Sequence, residues 1–215
     1  SNKDISGYYE QVPIKDVQDF TVKGGLDTCC DIELIYPFIK SRQNILEVGP
    51  GHGRVIEHLI KKGYSSEIFG IERSKHFFDY TQNKFKDRAN VRLILNDIQQ
   101  YKDVIKFDAI LWMWAGISDF PKTEQLQVLE KLQRHMSDKG IFIIETIKHT
   151  LVPTNATASE AQSYMIKSSY GDLYGYLPSP DEIKSYAQAL GLTYAQELHY
   201  QTTTGRDRMI HILRK

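Results

Sequence analysis

The sequence contains few cysteines, no excess of charge of either sign and no long apolar run. Its two cysteines, Cys29 and Cys30, are adjacent, an arrangement that rarely allows pairing, and there is no second pair. This argues against a small disulfide-held secreted domain and favours a reducing environment. Because no apolar run approaches the roughly 18 residues of a membrane span and no signal peptide is evident, we expect a cytoplasmic protein without a membrane partner.

The charge balance and the histidines argue against two further classes. Lys and Arg together number 27, as do Asp and Glu, so the broad basic surface of a nucleic-acid-binding protein is not expected. None of the seven histidines falls in an H-E-x-x-H pattern, and no C-x-x-C pair occurs. The sequence therefore predicts neither a metal site nor a nucleic-acid partner.

What the sequence does contain is an alternation of short apolar runs with helical patterns. The helical patterns predict helices over 55–62, from the N-cap residue Ser74, over about 122–138, and from Ser179, which has capping-box spacing to a glutamate. Alternating strands and helices indicate a mostly parallel sheet covered on both faces. The predicted strands of this sheet are 44–48, 67–71, 91–95, 107–114 and 140–145.

The C-terminal part of the chain departs from this alternation. Residues 192–200 and 206–213 have the composition of strands, and a short connection at 201–205 joins them. A connection of this length does not allow a crossover, so the two strands are predicted to form an antiparallel hairpin.

Two segments lie outside the alternating pattern. Residues 1–43 are a lead-in with a helical pattern over 27–40, which Pro37 is expected to kink or end. Residues 147–178 have no clean periodicity, and a run of that length inside a domain predicts a binding loop or lid without regular structure. A chain of 215 residues has the size of one domain, so both segments are expected to belong to it.

The most informative stretch is a strand that runs into a glycine-rich turn and then a helix. Gly49, Gly51 and Gly53 follow the first strand with G-x-G-x-G spacing, which lets a ligand approach the backbone N–H groups of the turn. A dinucleotide-binding turn has its third glycine one position later, where this chain has Arg54. The alternative is a tight strand-to-helix turn that binds no ligand.

Acidic residues occur at informative positions around this turn. Glu47 lies two residues before the first glycine, and Glu72 ends the second predicted strand, where an acid can accept both ribose hydroxyls of an adenosine. Asp97 and Ile98 follow the third strand, and the fourth strand has a Phe-Asp start at Phe107. The strands and acids therefore follow the glycine turn in a defined order.

This order of motifs resembles that of the class I S-adenosylmethionine-dependent methyltransferases over roughly residues 40–213. The resemblance implies an α/β, Rossmann-like, doubly wound fold with a mostly parallel seven-stranded sheet and an antiparallel C-terminal hairpin strand. It also implies a single domain with a cap at 1–43, a cofactor-binding half at 44–146, a substrate loop or lid at 147–178 and a final helix and hairpin at 179–215. The implied cofactor is S-adenosylmethionine, with S-adenosylhomocysteine as product.

The resemblance also implies roles for individual residues. Gly49 and Gly51 would approach the methionine part of the cofactor, whereas Gly53 would serve the turn and its packing. Glu47 would reach the cofactor's ammonium, directly or through water, unless it is a capping or salt-bridging carboxylate. Asp97 and its apolar neighbour would hold the adenine, unless Asp97 caps a short helix. The predicted cofactor-binding residues are Glu47, Gly49, Pro50, Gly51, Gly53, Glu72, Arg73, Asp97, Ile98, Trp112 and Met113.

Residues that contact substrate are expected where the strands end. Trp112, Met113 and Trp114 end the fourth strand, and aromatic faces attract a sulfonium cation, although which tryptophan faces it stays open. His149 follows the fifth strand and is a candidate general base, but no catalytic residue is assigned. The predicted substrate-binding residues are Tyr8, Tyr9, Trp114, Ile117, His149 and Tyr174.

Together these features predict an enzyme that transfers a methyl group in line to a small-molecule acceptor. Because a sulfonium is already activated, alignment with the attacking atom supplies much of the rate. A nucleic acid is not expected as acceptor, since the Asn- or Asp-Pro-Pro-aromatic motif of amino-methylating DNA and RNA enzymes is missing at 112–117. Two alternatives remain, a non-catalytic module that binds the cofactor and a nicotinamide-dependent oxidoreductase. A monomer or a homodimer is expected.

Overall fold

A seven-stranded sheet forms the centre of the protein in a computed structural model that describes residues 2–153 and 156–215. The strand order is β3-β2-β1-β4-β5-β10-β9, and only β10 runs antiparallel to its neighbours β5 and β9. This confirms the predicted fold class. The strands in chain order are β1 (Asn44–Val48), β2 (Glu67–Glu72), β3 (Val91–Leu95), β4 (Phe107–Trp112), β5 (Met136–Ile147), β6 (Thr157–Glu160), β7 (Ser163–Ile166), β8 (Leu173–Tyr176), β9 (Thr193–Gln201) and β10 (Asp207–Arg214).

Helices surround the sheet, and the capping signals in the sequence mark where two of them begin. The Ser74 hydroxyl accepts a hydrogen bond from the Phe77 amide, and Ser179 and Glu182 form a complete capping box. No helix among the described residues is long and apolar enough to cross a membrane. The helices are α1 (Asn2–Gln11), α2 (Ile14–Gly24), α3 (Cys30–Ile39), α4 (Arg54–Lys61), α5 (Lys75–Lys84), a 3-10 helix (Gly116–Asp119), α6 (Lys122–Gln133) and α7 (Pro180–Ala189).

Side chains of the central strands alternate between two apolar cores, one on each face of the sheet. In β4, Ile110 and Trp112 face the core that α6 and α7 cover, whereas Ala109 and Leu111 face the core that α3 and α4 cover. Strands buried on both faces explain why the sequence shows continuous apolar runs at these positions instead of alternation. A third, smaller core joins α1 and α2 to α5 and β8 around Phe77.

Two predicted element ends differ from the structure. The helix predicted to reach residue 138 ends at Gln133, because Met136 pairs with Phe107 and already belongs to β5. Met136 continues the helical spacing of the leucines before it, so periodicity alone favoured a longer helix. The fourth strand ends at Trp112 instead of 114, since Trp114 and Ala115 have φ angles of 49° and 52°. These left-handed conformations turn the chain out of the sheet.

The two segments outside the alternating pattern contain more regular structure than expected. Within 147–178, β6, β7 and β8 form a separate antiparallel sheet, so the prediction of a loop without regular structure was wrong. These strands are only four residues each, and β6 is exposed throughout, which hides their periodicity. The lead-in forms α1, α2 and α3, and α3 continues two residues past Pro37 to Ile39.

A buried ion pair attaches the N-terminal helices to the helix that follows the glycine turn. The Arg54 guanidinium donates two hydrogen bonds of 2.8 Å to the Asp31 carboxylate and one of 3.0 Å to the Leu26 carbonyl. The side chains of Arg54 and Asp31 are 7% and 0% exposed. Arg54 thus occupies the position of the missing glycine with a structural role, and it ties α4 to α3.

We predict that Asp31→Ala lowers the free energy of unfolding by about 3–5 kcal/mol, because it leaves a buried guanidinium without its counter-charge. Denaturant titration followed by circular dichroism measures this change. The control is Asp19→Ala, which breaks an exposed pair with Lys15 and costs at most about 1 kcal/mol. Equal losses in the two variants would contradict a stabilising role for the buried pair.

Candidate active site

The glycine turn lies at the carboxyl end of β1, in the centre of the sheet. Gly49, Gly51 and Gly53 have φ angles of 65°, 55° and 84°, which explains why this turn needs glycines. Their amides are already used, however. Gly49 N donates to the Ile71 carbonyl, Gly51 N to Glu72 and Gly53 N to the Pro50 carbonyl. All three amides therefore have partners within the protein, and the approach of a ligand to the Gly49 and Gly51 backbones stays a prediction.

The bare Cα atoms, not the amides, leave room at this turn. A Cβ placed on Gly49 or Gly51 would meet no described atom within 4 Å. A Cβ on Gly53 would instead come within 2.7 Å of the Phe85 ring, so Gly53 is required by packing, as predicted. The first two glycines thus border open space, while the third lets α4 approach α5.

Glu72 connects the end of β2 to the glycine turn. One carboxylate oxygen accepts from Gly51 N over 3.0 Å, and the other accepts from Ser74 N over 2.9 Å. Burial raises the pKa of the Glu72 carboxyl, and these amide hydrogen bonds oppose that rise. Each carboxylate oxygen keeps a second lone pair, so the group can still accept hydrogen bonds from a ligand.

Glu47 is a buried carboxyl at the end of β1 with incomplete hydrogen bonding. Its Oε2 has no hydrogen-bond partner among the described residues, and the residue is 4% exposed. Burial raises its pKa to about 8, the positive charge of Arg54 opposes this rise, and the nearby Glu72 charge adds to it. A cation bound at this position would favour the ionised carboxylate and supply the missing partner.

The remaining predicted cofactor residues lie around the same edge of the sheet. Pro50 is buried over Gly70 of β2, where a Cβ would come within 2.9 Å of the proline ring. Asp97 Oδ1 accepts from Gln99 N over 2.8 Å, which caps the turn after β3 and agrees with the alternative that the sequence left open. Ile98 packs partly buried against the main core, and Arg73 is partly buried beside Glu72.

The three large side chains at the end of β4, Trp112, Met113 and Trp114, lie in different environments. Trp112 is 3% exposed, packs on Phe120 and lies over Gly116, where a Cβ would come within 2.2 Å of its indole nitrogen. Met113 is buried in the core on the opposite face. Only Trp114 leaves both large cores, and it packs partly buried with the small third core near α1.

The predicted substrate residues do not form one group. Tyr8 and Tyr9 pack edge to face, with ring centroids 5.2 Å apart. Tyr8 belongs to the third core, and Tyr9 and Trp114 pack against it. Ile117 is fully buried in the main core, and Tyr174 is 49% exposed on β8. His149 is partly buried, and its Nδ1 has no hydrogen-bond partner among the described residues. The geometry favours Tyr8, Tyr9 and Trp114.

A buried network behind Trp114 holds the turn after β4 in place. Glu145, at the end region of β5, accepts from the amide of Ala115 over 2.9 Å and from the hydroxyl of Tyr200 over 3.0 Å. The Arg208 guanidinium pairs with the same carboxylate. Glu145 is fully buried and has no remaining access to a ligand, so its role is to fix the left-handed turn.

Sequence reasoning did not single out Asp119, which the structure places beside Tyr9. The Tyr9 hydroxyl donates to Asp119 Oδ2 over 3.2 Å, although 110 positions separate the two residues. Asp119 follows the end of the fourth strand, but nothing in the local pattern distinguishes it from a surface acid. Among the described residues, no group of three His, Cys, Asp or Glu side chains could hold a metal ion.

Comparison with known proteins supports the interpretation of this edge of the sheet. Residues 45–140 match the family model described as "Methyltransferase domain". An (S)-coclaurine N-methyltransferase of Papaver somniferum is 27% identical over 128 residues, which are 59% of this chain and 36% of that protein. A tRNA (guanine-N(7)-)-methyltransferase of Mycoplasma mobile is 26% identical over 121 residues, which are 52% of this chain and 60% of that protein. The chain spans about a third of the length of the first curated relatives that it matches.

Solved structures share the fold over nearly the whole chain. The 1,6-didemethyltoxoflavin-N1-methyltransferase of Burkholderia thailandensis, solved with bound 1,6-didemethyltoxoflavin and S-adenosylhomocysteine, has a TM-score of 0.68 and 12% identity. The match covers 94% of this chain and 83% of that one. The family model spans the glycine turn, Glu72 and Asp97. Residues 45–140 thus match a methyltransferase domain, and the chain as a whole has the fold of solved S-adenosylmethionine-dependent methyltransferases.

Proposed function

We propose that this chain binds S-adenosylmethionine and transfers its methyl group to a small-molecule acceptor. The observation that carries the proposal is the open space beside Gly49 and Gly51, bordered by the buried carboxyls of Glu47 and Glu72. When bound, S-adenosylmethionine supplies an activated methyl group on a sulfonium. The chain's own task is to hold the cofactor, exclude water and align the acceptor.

The buried carboxyls fit the two polar ends of this cofactor. Glu47 has an unpartnered oxygen that an ammonium would satisfy, and Glu72 has free lone pairs for ribose hydroxyls. Gly49 and Gly51 would admit the methionyl part against their bare Cα atoms. Asp97 and Ile98, after the neighbouring strand, would border the adenine. Trp114 would present an aromatic face, which attracts a sulfonium cation.

The N-terminal helices and the small sheet favour a small acceptor. Tyr8 and Tyr9 of α1 pack on Phe77 of α5, and Leu173 of β8 joins the same core. The Tyr170 hydroxyl donates to Asp16 of α2 over 2.8 Å, which connects the two covering segments across the chain. A site covered by α1, α2 and β8 admits a small molecule more readily than a protein or a nucleic acid. A cytoplasmic location and a monomeric or homodimeric state remain our expectations.

The alternatives are weaker but testable. The dinucleotide-binding turn of a nicotinamide-dependent oxidoreductase has a glycine at the position where this chain has the buried, ion-paired Arg54. The nicotinamide-binding domain also lacks an antiparallel strand equivalent to β10. A non-catalytic binding module would share every feature of the cofactor side. The Mycoplasma mobile relative is named for tRNA, so RNA is included among the acceptors to be tested.

The test is to incubate the full chain with methyl-labelled S-adenosylmethionine and a panel of amines, phenols, thiols and total tRNA. Formation of S-adenosylhomocysteine with label in a small molecule is the expected result. Label in tRNA would overturn the small-molecule proposal. Cofactor binding without any turnover would favour the non-catalytic module, and binding of a nicotinamide cofactor instead would favour the oxidoreductase.

We predict that Gly51→Ala weakens cofactor binding by at least about tenfold, or about 1.4 kcal/mol, because its methyl group enters the space left for the methionyl part. Calorimetric titration with S-adenosylhomocysteine measures the affinity. Gly63→Ala is the matched control, since Gly63 also has a positive φ and open space around its Cα but follows α4 away from the turn. Equal affinities in the two variants would place the cofactor elsewhere.

We predict that cofactor binding at about pH 7 releases a proton from the wild-type chain but a smaller number from Glu47→Gln. The Glu47 carboxyl has its pKa raised to about 8, so it is mainly protonated at this pH and must ionise to pair with the ammonium. Calorimetry in buffers of different ionisation enthalpy counts the protons. Glu57→Gln, which changes a half-exposed acid on α4, should release as many protons as the wild type.

A further inference from the structure

Asp119 is an acid at the candidate site that the family motifs do not include. It is the last residue of the 3-10 helix after β4, and its Oδ2 accepts the Tyr9 hydroxyl hydrogen bond over 3.2 Å. The carboxyl ends of the parallel strands meet at this edge of the sheet, so Asp119 lies on the same edge as the glycine turn. The Tyr9 hydroxyl of α1 is thus hydrogen-bonded to an acid at this edge of the sheet.

Hydrogen bonds connect this acid to the cofactor side. The Ser74 hydroxyl donates to the Tyr9 carbonyl over 3.1 Å, and the Ser74 amide donates to Glu72 over 2.9 Å. Tyr9 is therefore fixed by its backbone to the residue beside the ribose-binding acid, and by its side chain to Asp119. Asp119 is thus connected through Tyr9 and Ser74 to Glu72.

The surroundings of Asp119 are aromatic. Burial raises the pKa values of Tyr8, Tyr9 and Tyr164, and the negative charge of Asp119 contributes to each rise. Tyr164 of β7 lies against Gly175 of β8, so the small sheet contributes a ring to the same region. A carboxylate among aromatic rings is the combination that recognises an organic cation, because ring faces and carboxylate both attract positive charge.

Burial of Asp119 disfavours the ionised form of its carboxyl group. Burial raises the pKa of the Asp119 carboxyl to about 6, although the charge of Arg73 and the hydrogen bond from Tyr9 both lower it. Among the described residues, the titratable groups that interact with it are Arg73 at the end of β2, Tyr8 and Tyr9 of α1 and Tyr164 of β7. A further cation bound here would stabilise the ionised carboxylate.

We propose that Asp119 binds the acceptor directly and that the acceptor is a small organic amine, protonated when it enters. This inference rests on the proposed methyltransferase function and adds the substrate class and a catalytic residue. The ammonium donates to Asp119 while its organic part packs among Tyr8, Tyr9 and Tyr164.

Asp119 also supplies the base that methylation of such an acceptor requires. The nitrogen loses one proton to the Asp119 carboxylate, which exposes its lone pair. That lone pair forms the N–CH3 bond as the S–CH3 bond breaks, and the electron pair of the broken bond stays on sulfur. The products are a methylated ammonium, a neutral thioether and a protonated Asp119, which returns its proton to solvent.

The test measures binding of matched amines and alcohols to the full chain saturated with S-adenosylhomocysteine. The probes are arylalkylamines such as 2-phenylethylamine, each paired with the alcohol of the same skeleton. We expect the amines to bind about 10- to 100-fold more tightly than the alcohols, and Asp119→Asn to remove this preference. Amines that bind no better than alcohols, or a preference that survives Asp119→Asn, would overturn the proposal.

Controls separate this inference from the function on which it rests. Asp138→Asn removes a fully exposed acid and should keep the preference for amines. Affinity of the wild type for S-adenosylhomocysteine is measured first, so loss of cofactor binding would count against the methyltransferase proposal itself. The preference should decline as the pH falls below about 6, where the carboxylate takes up a proton, and should show no such decline in Asp119→Asn. A preference independent of pH in the wild type would contradict the assignment.

Discussion

The hydrogen bonds that Glu72 makes to the amides of Gly51 and Ser74 are the constraint on which the site depends. They connect the turns after two neighbouring strands through one buried carboxylate. As a result the glycine turn, the start of α5 and the acid itself are held in one arrangement. Because both oxygens are already engaged with backbone amides, the carboxylate is oriented before any ligand arrives.

The same connection extends to the segments that cover the site. The Ser74 amide donates a hydrogen bond to Glu72, and the Ser74 hydroxyl donates one to the Tyr9 carbonyl. The Tyr9 hydroxyl in turn donates to Asp119, which follows the fourth strand. The buried pair of Arg54 and Asp31 fixes the N-terminal helices to the helix after the glycine turn. The N-terminal helices are thus attached both to the turn after β2 and to the turn after β4.

Much of the fold could be predicted because its signals are local. The buried strands are short apolar runs, and Ser74 and Ser179 begin their helices with side chains that cap the first turn. Predictions failed where pairing overrode local preference. Met136 fits a helical stripe but joins β5, and the strands of the small sheet are too short and polar to show a period. The candidate cofactor residues share this locality, since motif spacing marks them.

The sequence alone determined the order of strands and helices in the central sheet, the need for glycine at three positions and the acids near the ends of β1 and β2. Each of these follows from backbone conformation or from periodicity over a few residues. Only the tertiary structure decided that the glycine amides are occupied, that Trp112 lies in the core, and that Asp119 lies beside Tyr9. Such facts depend on contacts between residues up to 110 positions apart, and no local pattern encodes which distant side chain a residue meets.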